Sequence, residues 1–567
     1  MTQGILIKNA YVIDPLSGIR GEIMDIAIRD GRIVEDALPG SEVIDAGGCL
    51  TLPGGIDSHS HVCGTKVNFG RYMSPEDMRA GRTSRKGVMH VTSGYSVPTT
   101  FGNSYRYSTM GYTTVLEGAM APLEARHTHE EFTATPHQDM LANTLFDGNW
   151  SVMEAVREKD VKRAAAIVAW TLAAVKGFAI KLTNPGGTEA WGWGKDVSHI
   201  HDPVPYFEVT PAEIISTMIQ ANEILRLPHS VHLHCNNLGV PGNFRTTLET
   251  MDLAPPAGGD RQTLYLTHVQ FHSYGGTTWR DISSKSEEIA RSLNSKPQVV
   301  IDMGQIMFGR TTTMTADGPM EFKLYMLHHN KWSNHDVELE TGSGIIPVYY
   351  SRKSLVNCVM WAIGLELALL AKNPWQCLLS TDNPNGAPFV KYPEIIALLM
   401  SRRMRENERK EIDPRTEHYV PLFALDRELD WYDIAVMTRA GQAKAMGITR
   451  IGKGHLSPGA QADVAIYPLK PDNLDPSVDY QQVMAGFSRT LYTIKRGRVV
   501  ARDGDVVVEG ANSTIWTRSR VPPEYDMGSD PEFIRKFDQY YTVRLRNYPV
   551  QDVYLPRGVC IETEAAL

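Results

Sequence analysis

Alternation comes first along the chain. ILIKNAYVID, MDIAIRDGRIV and EVIDAGG, all within residues 1–50, place apolar side chains at every second position between Gly and Asp punctuation. That is the period of short strands with one buried face. The same texture returns in ADVAIYPL (462–469) and RTLYTIKRGRVVARDGDVVVEG (489–510). Residues 1–52 and 450–512 are therefore expected to form one composite β-domain. Between these flanks the period changes, and apolar runs of strand length alternate with helical stretches, the pattern of a parallel sheet with crossover helices. Strands are expected in GGIDSHSH (54–61), GYTTVLEGAM (111–120), FAIKLTN (178–184), SVHLHCNN (230–237), TLYLTHVQF (263–271), QVVIDMG (298–304) and CLLSTDN (377–383). These are seven of the eight strands of a closed barrel; the third falls somewhere in 139–149. The predicted fold class is α/β, a (β/α)8 TIM-like barrel over 53–449 with a β-sandwich domain formed from both chain ends.

Composition narrows the function classes. The chain has 567 residues, enough for one large catalytic domain with an added smaller one, and a formal charge of −8. A net acidic surface argues against a general nucleic-acid binder, which needs a basic face. Six scattered cysteines with no CxxC pair are neither a disulfide framework nor a structural zinc cluster, and read as reduced thiols of a cytoplasmic protein. The N-terminal MTQGILIKNAYVID lacks the pattern of an export signal. Apolar runs at 164–175 and 356–371 fit buried helices better than membrane spans, the second being broken by Asn357 and Glu366.

Ionisable or polar residues recur where these strands end: His59 and His61, Glu117, Lys181, His234, His268, Asp302 and Asp382. In a (β/α)8 barrel that is the face on which catalytic groups collect. His59 and His61, two apart on a strand, project from one face and can share a metal ion. His199 and His201 lie in a polar, proline-bearing loop and read as structural, as do the isolated His90 and His272. His232 and His234 point the same way, so spacing alone does not choose between them; His234, nearer the strand end, is preferred. Lys176 follows a helix stopped by Gly177 and reads as a C-terminal capping cation. Lys181 instead sits among apolar strand residues, where a bare ammonium is costly; as a neutral amine it can take up CO2 to give a carbamate. Asp382, before a Pro/Gly turn, is placed as a metal ligand and proton carrier.

HxH on the first strand, Lys on the fourth, His on the fifth and sixth and Asp on the eighth together resemble the amidohydrolase superfamily. NPGGTEAWGWG (184–194), THVQFHSYGG (267–276) and STDNPNG (380–386) sharpen this to a resemblance, over nearly the whole chain, to the A-subunit family of formylmethanofuran dehydrogenases. The resemblance implies two zinc ions held by His59, His61, His234, His268 and Asp382 and bridged by carboxylated Lys181 and a hydroxide. It implies condensation of formate with methanofuran to N-formylmethanofuran, or the reverse hydrolysis, with Asp382 moving the proton. Molybdopterin or tungstopterin and Fe–S clusters are implied only in partner proteins of a complex: one resembling formate dehydrogenase, together with further iron–sulfur subunits. An arginine that holds formate is expected, and Arg280, after the sixth strand, is nominated. The alternatives are a free-standing cyclic amidohydrolase and a metal-free scaffold.

Four further segments carry expectations. Residues 64–90 hold six cations against Glu76 and Asp77, a formal +4, and read as a basic entrance for an anionic substrate tail, or as a solvated loop or subunit contact. Residues 304–355, rich in Met, His and Tyr, read as a lid or partner contact. MSRRMRENERK (400–410) reads as a solvated helix face, and 513–567 as a C-terminal extension for subunit docking. No phosphate-binding loop is present, since the Lys of GWGK is followed by Asp196.

Overall fold

The structure is a computed structural model that describes residues 4–256, 258, 261–335, 343–510 and 512–567. Eight strands follow one another around the barrel: Gly55–Ser60, Tyr112–Met120, Asp139–Leu145, Ala179–Thr183, Val231–His234, Leu264–Leu266, Val299–Asp302 and Cys377–Leu378. Each pairs in parallel with the next. The seam between last and first is closed by a parallel bridge between Ser60 and Asn383, and the His61 N–H donates to the Asn383 carbonyl at 2.6 Å. The third strand, DMLANTL, escapes the apolar pattern because Asp139, Asn143 and Thr144 are buried within it.

Alternation along the strands separates core from site. Ile180 and Leu182 are fully buried in a core shared with Val168 and Ile215 of the crossover helices, each contributing about 1.5–3 kcal/mol by burial. Lys181, between them, faces the barrel interior. Those helices carry their own end signals. Helix Val161–Val175 starts where Asp160 accepts from the Arg163 N–H and stops at Lys176, in the left-handed conformation at φ 54°. The Lys176 ammonium sits 4.3 Å over the Trp516 ring and 3.2 Å from Asp552. Helix Pro211–Leu225 opens with a reciprocal Thr210/Glu213 cap.

The two chain ends meet in one nine-stranded sheet. Leu50–Pro53 pairs antiparallel with Val464–Ile466, which joins Ile5–Asp14 and its neighbours to Tyr492–Lys495 and Arg498–Arg502. Ile7, Val12, Ile28, Ile44, Val464 and Ile494 share its core. Asp139, at the foot of the third barrel strand, anchors this sheet to the barrel. Its carboxylate meets the ammonium groups of Lys453 and Lys495 and the Arg496 guanidinium, and Asp463 completes the buried cluster.

Residues 513–567, expected as a docking extension, pack on the barrel itself. Ser513–Arg520 runs parallel to the start of the third strand and to Val559–Glu564, and Phe533, Phe537, Tyr541 and Tyr548 enter the main core. The 304–355 excursion builds a small antiparallel sheet from Gly309–Thr315, Ser333–His335 and Ser343–Tyr350, with helix Gly318–His328; its residues 336–342 lie outside the described residues. Among the described residues no helix is long and apolar enough to cross a membrane.

Candidate metal centre

His59 and His61 end the first strand beside Asp382 of the last. His59 Nε2 and His61 Nε2 lie 2.9 and 3.1 Å from Asp382 Oδ1, and His268 Nε2 lies 3.8 Å from Asp382 Oδ2. A carboxylate stands behind the His61 ring and a further imidazole behind the His59 ring. His61 Nδ1 donates to the Glu117 carboxylate at 2.9 Å, which also accepts from the Val62 and Cys63 N–H groups. His59 Nδ1 contacts His232 Nε2 at 2.7 Å. With Nδ1 donating, a neutral His61 carries a bare lone pair on Nε2 that faces a carboxylate oxygen which only accepts, and His59 does the same in the tautomer that donates from Nδ1. His59 Nε2 and Asp382 Oδ1 have no hydrogen-bond partner among the described residues. Three converging acceptors in a buried pocket are the donor set of a cation.

Backbone geometry brings the ligands there. His268 and Asp382 occupy the left-handed region at φ 39° and 51°, conformations that a non-glycine residue keeps only when its surroundings enforce them. The His268 N–H donates to Asp302 Oδ1 at 2.8 Å, and the Asp382 N–H to Ser380 Oγ at 2.8 Å. Gly118, on the second strand, leaves room for the paired imidazoles: a Cβ there meets His59 Cε1 at 2.8 Å and His61 Cε1 at 3.0 Å.

Burial sets the protonation states. It pushes the His59 pKa down to about 3, with Asp382 opposing, and holds His234 and His268 well below the usual range. Lys181 Nζ is buried without a hydrogen-bond partner among the described residues, and burial brings its pKa down to about 7 against the pull of Asp382 and Asp302. A neutral amine is thus accessible near neutral pH.

The expected residues do not all converge. His59, His61 and Asp382 come together, with His268 beside them. His234 lies next to His268, ring centroids 4.8 Å apart, but its Nε2 bonds Asp317 at 3.1 Å. A second group of potential ligand atoms joins His59, His232 and Asp302, so the strand-end preference for His234 does not settle the role of His232. Arg280 stands on an exposed turn capped by Thr277, Thr278 and Asp281. Lys66 is a second buried lysine near the cluster: its Nζ donates to the Ala119 carbonyl at 2.8 Å, and burial lowers its pKa against the pull of Glu117, Glu124 and Asp382. Within the basic loop, Arg79, Arg82 and Arg85 are exposed. Asp317 shows that the 304–355 excursion reaches the site, and a cleft of about 300 Å³ opens between its helix and Phe271 and Trp279.

Glu117 is visible in the sequence as a strand-end carboxylate, though its tie to His61 is not. Lys66, Gly118 and Asp317 give no signal there, since a loop lysine, a strand glycine and a turn aspartate are common without function.

Residues 42–501 match the amidohydrolase family. The chain is 51% identical over 570 residues to Protein FwdA of Methanocaldococcus jannaschii, covering 99% of both chains. It is 32% identical over 563 residues to the A component of the formyltransferase/hydrolase complex Fhc of Methylorubrum extorquens, covering 97% of each. The crystal structure of the FhcABCD complex of that organism with methylofuran contains a chain that superposes with TM-score 0.88 at 30% identity, over 99% of this chain and 100% of that one. By contrast, the dihydroorotase of Aquifex aeolicus matches 62 residues, 10% of this chain and 14% of its own. The chain belongs to the amidohydrolase family and, within it, to the formylmethanofuran dehydrogenase components that FwdA represents.

Proposed function

We propose that this chain condenses formate with the primary amine of methanofuran and, in reverse, hydrolyses N-formylmethanofuran, as one component of a multisubunit complex. The observation that carries this reading is the convergence of His59 Nε2, His61 Nε2 and Asp382 Oδ1, 2.9 and 3.1 Å apart in a buried pocket, in a chain 51% identical to FwdA. Two zinc ions, held by His59, His61, His268, Asp382 and a carbamate on Lys181 with His234 completing the set, would supply an activated water and a Lewis acid for the carbonyl oxygen.

The chain's own groups do the rest. The neutral Lys181 amine forms an N–C bond to CO2 and releases one proton, which gives an anionic ligand where a buried ammonium would be costly. Asp382 accepts a proton from the water that attacks the formamide carbon and delivers it to the departing nitrogen. Condensation runs the same transfers backwards. Lys66 is the buried cation placed to hold the formate carboxylate, and the cleft beside Phe271 and Trp279 suits the apolar part of a long amine. A molybdenum or tungsten protein, with iron–sulfur subunits, would supply formate from CO2.

The test is formate release from N-formylmethanofuran by the purified chain, with zinc content measured alongside. Wild type is expected to release formate with zinc bound, and Asp382→Asn to be ~10²–10⁴-fold slower. Full activity in zinc-free wild type, or in Asp382→Asn, overturns the reading.

A further inference from the structure

Behind His59 stand two more buried imidazoles that the proposed reaction does not use. His59 Nδ1 lies 2.7 Å from His232 Nε2, His232 Nδ1 lies 2.9 Å from His229 Nε2, and His229 Nδ1 lies 2.9 Å from the Ala445 carbonyl oxygen. His229 and His232 are fully buried, and the His232 ring is stacked between His59 (4.9 Å, 13°) and Tyr265 (4.3 Å, 14°). We propose that His229 and His232 are positioning residues that, from the Ala445 carbonyl, fix the His59 proton on Nδ1 and so present Nε2 to a metal ion. This rests on the metal-centre reading above.

The direction of the row follows from its far end. A carbonyl oxygen only accepts, and Ala445 is the last residue of helix Gly441–Ala445, where carbonyls lack intrahelical partners. His229 Nδ1 must therefore carry hydrogen, or two lone pairs meet at 2.9 Å. A neutral imidazole has one N–H and one lone pair. His229 Nε2 is then bare and accepts from His232 Nδ1, and His232 Nε2 is bare and accepts from His59 Nδ1. Each step removes one choice of tautomer from the next ring, and a flip of the His232 ring would break both of its hydrogen bonds.

The two histidines of the HxH pair are thus set by different means. His61 leans on the carboxylate of Glu117, whereas His59 leans on neutral rings. A carboxylate at position 232 would add charge beside Asp302, one of whose oxygens lies within 4.8 Å of the His59 and His232 ring nitrogens.

Zinc affinity of the full-length chain, by chelator competition, and zinc content at saturation test the row. His229→Leu deletes the anchor; His229→Gln keeps the polarity, its amide donating to Ala445 and its oxygen accepting from His232. At saturation all forms are expected to hold the same zinc content. His229→Leu is expected to bind ~10–100-fold more weakly, and His229→Gln to stay within a few-fold of wild type. Should His229→Leu not fold, His232→Leu against His232→Gln makes the same comparison. Undiminished affinity in the leucine variants overturns the proposal while leaving the metal centre intact. Loss of a whole zinc equivalent from His232→Leu at saturation also overturns it, by making His232 a ligand. A wild-type chain that binds no zinc overturns both readings.

Discussion

A single methyl group at position 118 is expected to disable the site. The Gly118 backbone lies outside the left-handed region, so alanine strains nothing locally, yet its Cβ would stand 2.8 Å from His59 Cε1, 3.0 Å from His61 Cε1 and 3.1 Å from His59 Nε2. Carbon atoms rest about 3.5–4.0 Å apart, so His59 must retreat by about 0.7–1.2 Å. Neither ring can do so freely: His59 is stacked on His232, and His61 is tied to Glu117. Metal–ligand distances tolerate about 0.2 Å, and a 1 Å misplacement costs on the order of 10²-fold in rate. Gly118→Ala is therefore expected to lose zinc on dialysis and to release formate from N-formylmethanofuran ~10²-fold more slowly, while the metal-free protein melts within a few degrees of metal-free wild type. Wild-type zinc retention and a rate within twofold of wild type would show that the imidazoles are not held as described.

Asp139→Asn removes one anion from a buried cluster that keeps both lysines and Arg496, and is expected to cost about 3–5 kcal/mol in urea unfolding. Lys453 and Lys495 hold the Asp139 pKa well below its ordinary value against burial; its contribution is present above the unfolded pKa of about 4 and is lost as pH falls towards the depressed one, so the variant should show a flatter acid limb. Lys66→Met is expected to raise KM for formate in condensation ~10–100-fold, the worth of a charge-assisted hydrogen bond, with zinc content unchanged; an unchanged KM removes Lys66 from formate binding. Neutralising Arg79, Arg82 and Arg85 together should lower kcat/KM for methanofuran most at low salt, and an effect indifferent to ionic strength would discount steering by that loop.

Much of the site is legible in the sequence because strands place i and i+2 on one face and barrel chemistry gathers at strand ends. His59, His61, Lys181 and Asp382 follow from those two rules. The rules fail where two residues satisfy both, as His232 and His234 do; only the partners Tyr265, His229 and Asp317 distinguish them, and those contacts are set by tertiary packing. The third strand is obscured because Asp139 is buried by ion pairing rather than by apolar character. For the same reason helix Arg402–Glu411, read as solvated, buries Arg405, whose guanidinium donates to the carbonyls of Leu398, Leu425 and Arg427. Arg280 stands on an exposed turn next to Trp279, which lines the cleft, and nothing in its sequence context announces that exposure.

The seam at Ser60 and Asn383 joins positions 323 apart in the chain, and His61 and Asp382 each lie one residue from it. On a ribosome, the two histidines emerge early and stay idle until the eighth strand docks. Ring completion and assembly of the donor set are then one event, so half-made chains carry the two histidines without the aspartate that faces them.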